Sequence, residues 1–378
     1  MAFKEFIIRS YEGQLDRAQV EDLGRRCKVG PSESVLDTMG DPTCRIRNSP
    51  MNIMLVAKMD NELVGVIQGS IKVVTIRSHP QKNMAKVGYV LGLRVAPHGQ
   101  RKGIGSSLVQ KLEEWFTCND VEYAYMATEK DNYASINLFM NKFGYTKFRT
   151  PAILINPVNH HLFRISSNIE IARVKIEKAE FLYRRFMGST EFFPNDIENI
   201  LRNKLSLGTW MAYFKDSDFG SDGQVPSSWA MLSVWNSAEI FKLRLGKTPF
   251  SCMLFTKSWN LIDRIFPCLK LPTFPNFFSP FGFYFMYGMY QEGPFSGKLV
   301  KALCKFVNNM ASKSENCKII VTEGGGRDEL NHHVPHWKLL SCQDLWCIKA
   351  LKNEGTSMFH ELTNSPPPRA LFVDPREV

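Results

Sequence analysis

The sequence predicts a mixed α/β (α+β) fold built twice in tandem, with the second copy degenerate. Three observations carry this. Strand-type and helix-type runs alternate through both halves of the 378 residues. A glycine-bearing loop, Gln100–Gly105, joins a strong strand run to an amphipathic helix. A run of the same order recurs at Gln291–Ser296, an offset of 291 − 100 = 191. The length allows two to three domains at roughly 150 residues each.

The elements follow in order. Phe6–Arg9 reads as a short strand and Gln14–Cys27 has helical spacing. Met51–Met59 alternates as a strand, Asn61 and Glu62 make a hairpin turn, and Leu63–Val74 returns. His79–Lys86 is polar and reads as a loop, and Gly88–Val95 is a strong strand ended by Pro97 and Gly99. From Ser106, Leu108, Val109, Leu112, Trp115 and Phe116 share one helical face. Tyr123–Glu129 is a strand, Asn132–Lys142 a helix stopped by Gly144, and Tyr145–Arg149 a last strand. The predicted organisation is a first domain over 1–155, a linker over 156–168, a second domain over 169–351 and a flexible tail over 352–378, where Ser365-Pro366-Pro367-Pro368 stands.

Composition narrows the function classes. The net charge of +10 favours an acidic partner such as a nucleotide, yet the basic residues are dispersed, which argues against direct nucleic-acid binding. Nine cysteines without a CxxC pair or a secretory leader point to reduced thiols in cytoplasm or nucleus. His160-His161 and His332-His333 are adjacent pairs, a poor spacing for one ion, so no metal is expected. Leu271–Tyr290 is uncharged and long enough for a bilayer, but Pro272, Pro275 and Pro280 prevent a continuous helix. It reads as a Pro-rich connection into a buried strand.

The loop carries the chemistry. Two glycines, Gly103 and Gly105, let the backbone approach a ligand with no Cβ in the way. The unpaired N–H groups of a helix start, with its dipole, suit pyrophosphate. Arg101 and Lys102 add full charges. A P-loop is excluded because no GxxxxGK[S/T] run exists, and a GxGxxG fingerprint fails at Leu108. A plain glycine turn capping a helix is the alternative.

The run Leu93-Arg94-Val95-Ala96-Pro97, then Gln100-x-x-Gly103-x-Gly105, resembles the signature of the GNAT superfamily of N-acetyltransferases. Asn132–Phe139, followed by Phe143-Gly144-Tyr145, is similar to its second signature. Thr190–Pro194, Lys204–Thr209, Pro335–Lys338 and Val373–Glu377 look like the plant hookless-type N-acetyltransferases, which implies a developmental regulator. The resemblance implies acetyl-CoA as donor, with Leu93 and Val95 at the pantetheine and thioester and Gln100, Arg101, Lys102, Gly103, Ile104, Gly105 and Ser106 at the pyrophosphate. Asn132 would sit beside the cofactor. Glu129, ending the strand beside the expected thioester, is the candidate base; a solvated strand-end carboxylate is the alternative. Many members place a Tyr on the second helix as the acid, and this chain has Phe139 there. Three functions follow: an acetyltransferase acting on a protein or small-molecule amine, a cofactor-binding regulator with little turnover, or a scaffold.

In the second half, Glu177–Phe186 reads as the first helix, and Thr209–Phe214 and Trp229–Trp235 as paired strands. At the same offset, Leu299, Val300 and Leu303 fall on Leu108, Val109 and Leu112. The aligned loop replaces Gly103 by Pro294, Gly105 by Ser296 and Arg101 by Glu292, so this copy is expected not to bind the cofactor.

Overall fold

A computed structural model describes residues 5–27, 36–76, 84–159, 161–217, 225–245, 279–326, 328–352, 356–364 and 371–378. The first half runs β1 (Ile7–Ser10), α1 (Gly13–Arg26), β2 (Leu36–Gly40), β3 (Met51–Met59), β4 (Glu62–Thr75), β5 (Met84–Val95), α2 (Ile104–Cys118) and β6 (Tyr123–Glu129). It continues through α3 (Tyr133–Ile136), which passes into a π-helical turn at Asn137–Lys142, then β7 (Thr146–Arg149) and β8 (Ala152–Pro157). The second half holds β9 (Ile169–Val174), α4 (Ile176–Met187), α5 (Ile197–Arg202), β10 (Ser206–Phe214), β11 (Trp229–Asn236), β12 (Phe241–Leu245), β13 (Gly282–Glu292), α6 (Ser296–Ala311), β14 (Cys317–Gly324), β15 (Cys342–Ala350) and α7 (Thr356–Asn364).

Thirteen strands form one mixed sheet in the order β1-β3-β4-β5-β6-β15-β8-β14-β13-β11-β10-β9, with β7 beside β15. The run β1-β3-β4-β5-β6 repeats as β9-β10-β11-β13-β14. In each, the last pair is parallel and the others antiparallel. The helix that crosses each parallel pair buries the same face: Leu108, Val109, Leu112 and Phe116 in α2, and Leu299, Val300, Leu303 and Val307 in α6. The offset from 116 to 307 is again 191. Helix α2 can lie close because its floor is glycine. A Cβ on Gly69 would stand 2.5 Å from Leu112, and one on Gly88 2.7 Å from Phe116.

The two copies exchange their last strands. β8 of the first half pairs antiparallel with β14, and β15 of the second half pairs antiparallel with β6. No single boundary near residue 155 therefore separates two self-contained folds, and the linker expected over 156–168 begins inside a strand. The apolar run Ala152-Ile153-Leu154-Ile155 was the available signal for β8. Period-2 patterning says that a strand exists but not which sheet it enters.

The chain's end also departs from the expected flexible tail. Helix α7 forms, and the last eight residues, Leu371–Val378, pack against both halves, with Asp374, Arg376 and Glu377 at 1%, 4% and 6% exposure. Arg376 donates to Asp374 (2.9 and 2.7 Å) and to Asp196 (2.6 and 3.0 Å). Lys72 of β4 meets Glu377 at 2.7 Å, and the Tyr125 hydroxyl of β6 donates to Glu377 at 2.6 Å. Arg149 of β7 makes a bidentate pair with Glu191 at 2.7 Å on each arm. The segments at Thr190–Pro194 and Val373–Glu377 are thus a fastening between the halves, built from buried and fully paired charges. Ser365–Arg369 falls outside the described residues, as does the Leu271–Phe278 part of the Pro-rich connection; its continuation is β13, inside the sheet. No described helix is long and apolar enough to cross a membrane.

Candidate active site

The cleft forms where β5 and β6 part. Their parallel ladder runs only from Val87–Val90 to Tyr123–Met126. On its other side β5 shifts register against β4 between Val66↔Arg94 and Gln68↔Leu91, so Gly92 and Leu93 are a bulge. Gly92 sits at φ 64°, which glycine accepts at little cost. The bulge turns Leu91–Val95 away from β6 and leaves that edge facing the gap. Leu93 and Val95 are half-buried there, and the Val95 carbonyl accepts from the Cys27 thiol at the end of α1 (3.4 Å).

The loop follows. A short 3₁₀ turn, Pro97–Gly99, leads to Gln100, and Gln100, Arg101, Lys102 and Gly103 are all exposed. Arg101 (φ 61°) and Gly103 (φ 87°) are left-handed, and Gly103 caps α2. Successive turns of this kind aim backbone N–H groups into one concavity, at the positive end of a helix of 15 residues. Ile104 anchors the turn at 1% exposure. Packing does not require the two glycines. A Cβ on Gly103 would meet nothing within 4 Å, and one on Gly105 only Val95 at 3.5 Å and Leu138 at 3.9 Å. At Gly103 the space kept open is exposed, as a phosphate cradle needs. Ser106 accepts from Lys142 Nζ at 2.7 Å, which brings a third cation to the loop and ties it to the π-helical turn.

Asn132 caps α3, its Oδ1 accepting from the Ser135 N–H at 3.2 Å, so its side-chain amide NH₂ is what remains to offer a ligand. Glu129 ends β6, exposed, on the same side of the gap. Phe139 is 2% exposed and stacks edge-on with Tyr145 at 5.2 Å; it belongs to the core and carries no proton to give.

Two further acids, which the sequence reading did not assign to this site, share the sheet face of Glu129. Asp344 of β15 is the register partner of Glu129, and Glu323, next to last in β14, stands two strands beyond β15 across β8. Burial, then the charge of Glu129, raises the Asp344 carboxyl to about 6. Burial, then the charge of Asp344, raises Glu323 to about 8. They went unseen because strand exchange, not chain proximity, brings them there.

The second cleft repeats the bulge, with Gly288 at φ 59° and the β13–β14 ladder ending at Met286↔Thr322. It is filled. A Cβ on Gly288 would stand 2.6 Å from Tyr183, and one on Gly297, in the first turn of α6, 2.5 Å from the His333 ring. Leu330 and Val334, from the segment that carries His333, are buried in the core beneath α6.

Comparison with known proteins agrees with this geometry. The acetyltransferase (GNAT) family matches residues 19–145. "Probable N-acetyltransferase HLS1" of Arabidopsis thaliana is 44% identical over 98% of this chain and 99% of its own length. This chain belongs to the GNAT acetyltransferase family. "Acetyl transferase GW6a" of Oryza sativa subsp. japonica is 33% identical over 98% of the chain and 97% of its own length. Among solved structures, N-myristoyltransferase of Saccharomyces cerevisiae with bound myristoyl-CoA shares the fold at a TM-score of 0.55 and 10% identity, covering 93% of this chain and 80% of that one. A GCN5-related glucosamine N-acetyltransferase region of a fungal multi-domain enzyme gives 0.57 at 13% identity, covering 92% and 38%. This GNAT chain is therefore a transferase whose sheet is the family's fold doubled.

Proposed function

We propose that the first-half cleft binds acetyl-CoA and that the protein transfers the acetyl group to an amine of a protein or small molecule, as a regulator of plant development. The observation that carries this is the left-handed, exposed loop from Gln100 to Ser106, opening α2 at the point where β5 leaves β6. Its amides and the Arg101, Lys102 and Lys142 cations suit a pyrophosphate. The pantetheine arm would lie along the free edge at Leu93–Val95, and Asn132 would flank it. An N–H near Leu93 is the donor for the thioester oxygen, where negative charge develops. Glu129 would take the proton of the attacking amine, directly or through water. The bound myristoyl-CoA of the yeast N-myristoyltransferase supports a CoA thioester in this fold.

The second half would not bind the donor. Pro294 offers no N–H, Ser296 restores a Cβ, Glu292 repels phosphate, and His333 covers the helix start. A second reading, a cofactor-binding regulator with little turnover, is favoured by Phe139, whose burial leaves the thiolate without the usual acid. Mass spectrometry of the purified protein for copurifying acetyl-CoA, with an acetyl-transfer assay on candidate proteins, separates the two. Bound donor with transfer supports the first, bound donor without transfer the second, and an absence of donor binding at any concentration refutes both.

A further inference from the structure

The seam between the exchanged strands holds polar groups that folding alone leaves unsatisfied. Glu129 of β6, Asp344 and Trp346 of β15 and Glu323 of β14 project from one face of the sheet, by the register of the three pairings β6–β15, β15–β8 and β8–β14. Trp346 is 4% exposed, and its indole N–H lies against the Glu323 carboxylate, near enough to favour the charged form but outside good hydrogen-bond geometry. Glu323 Oε1 is buried and has no hydrogen-bond partner among the described residues. An unpaired buried acceptor costs about 1–3 kcal/mol, which a bound donor would relieve.

We propose that Asp344 and Glu323, supplied by the second half, form the seat for the protonated primary amine of the acceptor, next to Glu129 of the first half. This rests on the acetyltransferase reading and deepens it. An ammonium carries three donors and no acceptor. It can give one to each carboxylate and brings the positive charge that a neutral acceptor lacks. The surrounding charges are unequal: Glu129, Asp344 and Glu323 are acids, Glu377 beyond them is paired with Lys72, and Arg45 is the cation that opposes Asp344 and Glu323 from the turn after β2. Arg45 is itself drawn toward the chain's end, where its Nη2 donates to the Glu377 carbonyl at 2.8 Å. Tyr89 lies in the same field, and burial holds its hydroxyl protonated. The second half, which has lost its own donor site, would thus act by presenting the acceptor.

The seat has a signature that a structural role lacks. Without a cation, Glu323 at about 8 is protonated at neutral pH. An arriving ammonium favours its charged form, so binding at pH 7 releases a proton. The test is calorimetric titration of the full-length protein at pH 7 in two buffers of different ionisation enthalpy. The probes are Nα-acetyl-lysine methylamide for a side-chain amine, alanine methylamide for an α-amine, and Nα,Nε-diacetyl-lysine methylamide as the neutral control. The expected result is that one of the two amines binds with proton release and the control does not. Glu323→Gln should abolish the proton release, and Asp344→Asn should weaken the amine at least tenfold. Acetyl-CoA affinity should stay unchanged in both. Absence of binding by either amine, or binding without proton release that both variants retain, overturns the seat. Failure of the wild type to bind acetyl-CoA while an amine still binds would instead refute the donor reading and leave the seat standing.

Discussion

Arg376→Met tests the fastening at the chain's end. The guanidinium is 4% exposed and holds Asp374, 1% exposed, with two hydrogen bonds and Asp196 with two more. Methionine fills much of the volume but leaves Asp374 a buried charge. Removing one member of a buried pair costs about 3–5 kcal/mol. Lys72, at 3.5 Å from Asp374, partly compensates, which puts the expected loss near the lower figure, about 3 kcal/mol. At no more than roughly 2–4 °C per kcal/mol for a chain of this size, the melting midpoint at pH 7 should fall by up to roughly 6–12 °C. The pH dependence has a definite sign. Burial works to raise the Asp374 carboxyl, but Arg376 and Lys72 hold it well below the usual carboxylate range. Its contribution is present above the unfolded value of about 3.9 and is lost as pH falls through that value toward the folded one. In the variant the carboxyl is released upward, so the difference between wild type and variant should shrink between pH 7 and pH 4. Scanning calorimetry across that range decides it. A loss under about 1 kcal/mol, or one that is flat with pH, would show that the buried network contributes little.

Three further outcomes follow from the same structure. Glu129→Gln should lower turnover by on the order of 10²–10⁴ with acetyl-CoA affinity intact; an unaltered rate in a steady-state assay would remove Glu129 as the base. Acetyl-CoA should bind the full chain once, and a calorimetric stoichiometry of two would show that His333 and Pro294 do not close the second cleft. Because β8 and β15 are exchanged, residues 1–157 and 158–378 expressed separately should each fail to fold, and co-expression should restore a complex that elutes with the intact chain. Two soluble, separately folded halves with cooperative melting would refute the exchange.

Much of this architecture is written locally. The face Leu108, Val109, Leu112 and Phe116 and its echo at Leu299, Val300, Leu303 and Val307 are periodic, so both crossing helices and their shared offset could be read directly. The loop at Gln100–Ser106 was legible because glycine, cation and helix start are adjacent in the chain. What stayed hidden is non-local. Cys342–Ala350 looks like any half-buried strand, and nothing in it says that its partner is Tyr123–Glu129. Asp344 and Glu323 therefore read as ordinary acids until the sheet joins them. The last residues misled for a related reason. The prolines at 366–368 suggest an extended tail, yet the Asp374, Arg376 and Glu377 charges beyond them have partners at the half-buried Asp196 and the buried Lys72 and Tyr125.

The central claim is that the glycine loop of the first half is the donor site, and calorimetric titration of acetyl-CoA into the full-length protein and its Gly103→Gln, Gly105→Val variant tests it most directly. Side chains at these two positions point into open space or ordinary contact, so the variant should fold, with at most about 1–2 kcal/mol of left-handed strain at residue 103. The bulk should keep the loop amides from the pyrophosphate. Two lost charge-assisted hydrogen bonds at about 1.5–3 kcal/mol each weaken binding by at least 10²-fold. Wild-type binding with loss of measurable heat in a folded variant is the predicted result. Equal affinity in the two proteins would contradict it.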